Sequence, residues 1–257
     1  MIYFLHIPKT AGTSMRRLFT AGKAEEEVAY VYLPPDGWEI EALRARPRRD
    51  LERLRLVFGH FPYGLDAVLQ RPGQYMTCLR ETAPRLTSNY WQHVRGGFVG
   101  DMGLLDYFNA WKPRDMDNYT VRLLAGVGHD VPFGGVTEAH LAQAKHNLKH
   151  GCTAFGLYEY LPETVACFRK VLGQRPMETV ARLRKMLGVA PVQLGQENVM
   201  PAAQRKTRLP AGEMAVLVRH NALDEELYAY AKGLFLAQGL GKAVAWPTVT
   251  KVAAGPV

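Results

Sequence analysis

Cysteine is scarce: Cys78, Cys152 and Cys167 are the only three in 257 residues. Their number is odd and none of their spacings is that of a metal-ligand pair, so neither a disulfide framework nor a zinc site is expected. All three read as buried thiols in a reducing compartment. No apolar stretch approaches the roughly 20 residues that a membrane span needs. No basic-then-apolar leader precedes the first strand-like run. The expectation is a cytoplasmic protein with no membrane span. There is also no internal repeat and no low-complexity linker. One domain over residues 1–240 is therefore expected, followed by a tail, 241–257, that lacks clear periodicity.

Acidic residues are outnumbered, 24 against 32 Lys and Arg, for a net charge of +8. That excess favours an anionic partner without choosing among nucleotide, glycan, nucleic acid and lipid. The densest basic run is Arg44-Ala45-Arg46-Pro47-Arg48-Arg49, continued by Arg53 and Arg55. It reads as a solvated helix face and loop; a docking patch for an acidic acceptor is the sharper alternative.

Short β-prone runs alternate with helical spacing. Strands are expected at Ile2–Ile7, Arg55–His60, Gln74–Arg80 and Thr153–Tyr158. Helices are expected from Gly12 to about Thr20, from near Pro84 to Val94, across much of 102–150, at Leu161–Leu172 and from Pro210 to Phe235. This order predicts an α/β, P-loop-like three-layer fold with a central parallel sheet and helices on both faces. Ligands of such folds bind at the carboxyl ends of the strands. Three polar features fall there: Pro8–Ser14, His60 and Arg80.

The first is His6-Ile7-Pro8-Lys9-Thr10-Ala11-Gly12-Thr13-Ser14. Small Thr10, Ala11 and Gly12 let the backbone approach an anion, and helix N–H groups point at it. Thr13 and Ser14 add hydroxyls and Lys9 adds a charge. A Walker A loop is missing, because Lys9 precedes Gly12 and no G-x-x-x-x-G-K-[ST] occurs. The second is Leu79-Arg80-Glu81-Thr82-Ala83-Pro84-Arg85-Leu86-Thr87-Ser88-Asn89-Tyr90. An Arg at a strand end and a Ser on the next helix can close on one phosphate, the Arg bidentately. The third is Gly59-His60, where an imidazole beside the loop can take a proton from a hydroxyl. His6 reads as a satisfied core histidine. His93, His129, His140, His146, His150 and His220 lack a setting comparable to that of His60.

The first segment resembles the donor-phosphate loop of the sulfotransferase superfamily, and is closest to the family-2 branch that includes heparan sulfate 2-O-sulfotransferase and bacterial relatives. The second resembles that family's L-R-[DE]-P-x-x-R-x-x-S-x-Y motif, with the proline displaced to Pro84, and the third its G-H. Asp117–Gly126 resembles a helical segment that lines the acceptor side or packs. Phe155–Glu159 and Leu223–Tyr228 resemble structural segments. Arg205, Lys206, Thr207 and Arg208 lie where relatives carry a basic loop over the nucleotide; a solvated loop is the other reading.

The resemblance implies a sulfotransferase that uses 3′-phosphoadenosine 5′-phosphosulfate (PAPS) as cosubstrate and needs no metal. It implies catalytic His60, as base, and Lys9, as leaving-group stabiliser. Donor binding would fall to Lys9, Thr10, Ala11, Gly12, Thr13, Ser14, Arg80, Ser88, Arg205, Lys206 and Thr207. The acceptor would be a hydroxyl of a carbohydrate or a small biosynthetic intermediate, with no nucleic acid as partner. Three alternatives stay open on the residues alone. One is a nucleotide kinase or NTPase, although a metal-binding acid after a strand is lacking. Another is a non-catalytic basic module for RNA or glycan, although no RNP-like pattern occurs. The third is a degenerate sulfotransferase that binds without catalysing.

Overall fold

The computed structural model describes residues 1–32, 39–174 and 209–237; the tail 241–257 and the basic stretch 205–208 lie outside these. Five parallel strands form one sheet: β1 (Ile2–Leu5), β2 (Val28–Val31), β3 (Leu56–Gly59), β4 (Gln74–Leu79) and β5 (Cys152–Leu157). Their order is β2-β3-β1-β4-β5. The register sets Leu5 opposite Gly59 on one side and Thr77 on the other. Thr77 also donates its hydroxyl to the Leu5 carbonyl at 2.8 Å, so a buried polar side chain is satisfied inside the sheet.

Alternation along β1 sends Tyr3 and Leu5 to one face and Phe4 to the other. The first face packs against α2 (Glu39–Arg44), α3 (Arg48–Arg53), α4 (Leu65–Val68), α7 (Tyr119–Ala125), α8 (Glu138–His146) and α11 (Ala222–Ala237). The second packs against α1 (Gly12–Thr20) and α9 (Leu161–Val171), with Phe4 stacked on Phe58 at 4.8 Å. Burial on both faces explains why the inner strands read as unbroken apolar runs. A third apolar cluster joins α5 (Thr82–Arg95), α6 (Leu104–Trp111) and α10 (Ala211–His220) through Leu86, Tyr107 and Leu217.

The α/β three-layer expectation holds, and the described residues contain one strand more than the four expected. Strand β2 hid in a mixed segment because it is a four-residue edge strand after three glutamates, and its Tyr30 faces outward. Helix α5 starts at Thr82, two residues earlier than expected, which puts Pro84 in the first turn where its missing N–H costs nothing. The arginines of the 44–55 run lie on or beside exposed α2 and α3 and pair with neighbours such as Glu41, Glu52 and Glu27, as the solvated-face reading expects. Cys78 and Cys152 are buried thiols and Cys167 is half-buried.

Candidate active site

Strands β3, β1 and β4 are neighbours, and each releases a polar residue at its carboxyl end. His60 follows Gly59, His6 follows Leu5, and Arg80 follows Leu79. The His60 amide donates to the Val31 carbonyl of β2 at 2.6 Å, and the His6 amide donates to the Gly59 carbonyl at 2.7 Å. Sheet hydrogen bonding therefore fixes where both imidazoles begin.

The loop after β1 is held in an uncommon shape. Lys9 and Ala11 both have left-handed backbone, with φ of 70° and 65°. Such residues cost about 1 kcal/mol or more each and persist only where neighbours impose them. Three bonds do so here. Thr10, fully buried between them, donates its hydroxyl to the Ile7 carbonyl at 2.7 Å. Arg80 donates to the Lys9 carbonyl at 3.0 Å while lying on the Tyr158 ring at 4.2 Å. The Lys9 ammonium donates to Gln92 of α5 at 2.9 Å. Helix α1 then starts without a side-chain cap and without an acidic residue in its first turn. Gly12, Thr13 and Ser14 form that first turn, where helix N–H groups and the helix dipole favour an anion.

Gly12 has a reason internal to the fold. A Cβ there would overlap the His6 ring. Gly59 likewise makes a close approach to the Val31 carbonyl of β2, so its smallness serves strand packing.

His6 departs from expectation. Its ring lies 4.6 Å from that of His60 and 5.4 Å from Phe58, with Tyr32 edge-on, and neither ring nitrogen has a hydrogen-bond partner. It is packed but unsatisfied. Burial, and then the neighbouring His60, Lys9 and Arg16, hold its pKa well below 6.5. His60 differs in one respect: its Nδ1 lies 2.6 Å from the His6 carbonyl. A carbonyl can only accept, so Nδ1 carries the proton and Nε2 is left as the basic nitrogen. Burial lowers the His60 pKa, opposed by that hydrogen bond and by the charge of Asp115. Lys9 is lowered to about 8, by burial first and then by Arg95 and Arg80.

Arg80 is half-buried at the loop, and Ser88 is half-buried on α5, one turn before Gln92. Arg85, which shares their motif, is not at the cleft: it is fully buried, donating to Asp224 at 3.0 Å and to the Asp115 carbonyl at 3.1 Å. Asp224 also accepts from the Thr120 and Val121 amides, so it caps α7 from α11. The Asp117–Gly126 segment accordingly packs, with Arg122 buried against Asp117. Arg205, Lys206 and Thr207 fall outside the described residues.

Four participants escaped the sequence reading: Gln92, Asn89, His93 and Asp115. His93 does have a setting, accepting from or donating to Tyr107 at Nδ1 (2.8 Å) and Asp115 at Nε2 (2.9 Å). The four-residue spacing of Ser88 and Gln92, and of Asn89 and His93, was the available signal. Asp115 comes from a separate turn and had none.

No family model matches the chain, and no curated protein matches it in sequence. Among solved structures it is similar to a mouse sulfotransferase, SULT7A1, complexed with PAP. The likeness is 13% identity over 90% of this chain and 88% of that one, with a TM-score of 0.43. At that distance the site has to be read from its own atoms. Among the described residues, no helix is long and apolar enough to cross a membrane, and no group of three or more His, Cys, Asp or Glu is placed to hold a metal.

Proposed function

We propose that the protein transfers a sulfuryl group from PAPS to a hydroxyl of a carbohydrate or small biosynthetic intermediate, in the cytoplasm and without a metal. The observation that carries this reading is the juxtaposition of an uncapped, lysine-bearing anion cradle with a histidine whose tautomer is fixed. The cradle suits the 5′-phosphosulfate: first-turn N–H groups of α1, the Thr13 and Ser14 hydroxyls and Lys9 all offer hydrogens to anionic oxygen. Arg80 and Ser88 would take the 3′-phosphate, and Arg205, Lys206 and Thr207 would cover the nucleotide.

In this scheme Nε2 of His60 removes the acceptor proton as the acceptor oxygen attacks sulfur. The bond between sulfur and the bridging oxygen breaks. Negative charge grows on that oxygen, and Lys9 with the loop N–H groups stabilises it. The products are a sulfate ester, 3′-phosphoadenosine 5′-phosphate (PAP) and imidazolium at His60.

Calorimetry with PAP and with adenosine 5′-phosphate, followed by labelled PAPS against an acceptor panel, tests the reading. PAP should bind more tightly, and His60→Ala and Lys9→Ala should each lose transfer. Equal affinity for the two nucleotides contradicts the Arg80 and Ser88 assignment. Retained transfer in both variants, or magnesium-dependent ATP turnover in place of transfer, overturns the reading itself.

A further inference from the structure

Beside the cradle stands a hydrogen-bonded chain that the scheme above does not use. Tyr107 OH, His93 and Asp115 are linked through His93 Nδ1 and Nε2, at 2.8 and 2.9 Å. Asn89 adds a bond to the same Asp115 oxygen, Oδ2, at 2.8 Å. Arg85 fixes the Asp115 backbone through its carbonyl. Asp115 accepts from His93 Nε2–H as well as from the Asn89 amide, so both donors point toward the carboxylate. Burial alone would raise the Asp115 pKa, but His93, Asn89 and Arg85 hold it below its ordinary value. Asp115 is thus a fixed anion.

Its place matters. Asn89 and Gln92 are three apart on α5, hence neighbours on one face. Asp115 hangs from the first and Lys9 from the second. The Asp115 charge is felt at His60. Desolvation is the largest influence on Asp115, yet 27% of its side chain is accessible. Asp115 is thus held by protein and still partly open to solvent. Oδ2 takes the bonds from His93 and Asn89, and neither of them reaches Oδ1. Phe98, 60% exposed and edge-on to His93 at 6.3 Å, offers an apolar face alongside.

We infer that Asp115 is the acceptor-binding carboxylate of this site, and that the acceptor carries a hydrogen-bond donor, hydroxyl or ammonium, near its reacting hydroxyl. An acceptor with a carboxylate or sulfate at that place meets a fixed negative charge and is rejected. The inference rests on the proposed sulfuryl transfer, and its acceptor side is new to it. A bridge that merely ties α5 to the turn at 114–116 would show no such discrimination.

The test uses three phenols that share a reacting end and differ at the other: tyramine (ammonium), tyrosol (hydroxyl) and 3-(4-hydroxyphenyl)propionate (carboxylate). Each is titrated into the PAP-saturated protein. Tyramine and tyrosol should bind about tenfold or more tightly than the propionate, as expected for one charge-assisted hydrogen bond against one repulsion. Asp115→Asn should bring the three within about twofold while PAP affinity stays unchanged. If Asp115→Asn does not fold, the wild-type ranking decides, with His93→Gln as the second variant expected to shrink the preference. Equal or reversed ranking, no binding of any probe, or a preference that survives Asp115→Asn overturns the inference. Absence of PAP binding, measured first, would instead remove the nucleotide reading beneath it.

Discussion

His6 and Gly12 meet inside the loop, and their contact makes two measurable demands. Adding a methyl at Gly12 drives it into a ring already enclosed by Phe58, His60 and Tyr32. Gly12→Ala should lower the urea midpoint by the equivalent of about 1–3 kcal/mol, the usual cost of overpacking, and weaken PAP binding as the cradle shifts. His6 itself is kept neutral. Its folded pKa lies well below the 6.5 of an unfolded histidine. Below pH 6.5 the unfolded chain therefore binds a proton that the folded chain refuses. Stability is fully present above 6.5 and falls as the pH drops through it, by up to about 1.4 kcal/mol per pH unit for this one residue. Urea midpoints across that range should show the slope, and His6→Phe should flatten it. Lys9 gives the opposite limb for binding. Its free-protein pKa is about 8, and only the ammonium attracts phosphate. PAP affinity measured by calorimetry should decline as pH rises through about 8, whereas Lys9→Met should bind more weakly and without that decline.

Helices α5, α7 and α11 are locked together by one ion pair. Arg85 and Asp224 are both almost wholly buried, and Asp224 also serves two amides of α7. Removing one partner leaves a buried charge and bare donors. Asp224→Ala should cost about 3–5 kcal/mol, visible as a large drop in the urea midpoint by circular dichroism, and nucleotide affinity should fall only in proportion to the unfolded fraction. This pair marks what sequence reading reaches at this level. The strands β1, β3, β4 and β5 and the start of α1 were legible because two-sided burial and glycine punctuation are local signals. Strand β2 was passed over although 28–33 is an apolar run, because it is short and sits between three glutamates and two prolines in a mixed segment. Arg85 shares a sequence motif with Arg80 and Ser88. Its partner, 139 residues away, is what makes it structural, and no periodicity announces such a distance.

For the whole molecule, strand order decides what lies where. Because β1 sits between β3 and β4, the cradle, the imidazole and Arg80 issue from three adjacent strand ends although 71 residues separate Lys9 from Arg80. That much followed from the βα alternation. The acceptor side did not, because Asp115, His93 and Tyr107 converge from a turn and two helices that flank the sheet. If residues 1–240 form one domain, fluorescence and circular dichroism should report a single coincident thermal transition, and PAP at about 100 times its Kd should stabilise by about 2.7 kcal/mol. Two separated transitions, or one unmoved by PAP, would count against a single nucleotide-binding unit. The carbonyl that orients His60 belongs to the main chain of residue 6, not to its side chain. Every amino acid supplies that oxygen. The polarity of the proton acceptor is therefore independent of the side chain at its own anchor: any residue that the packing at position 6 accepts leaves the same nitrogen of His60 bare.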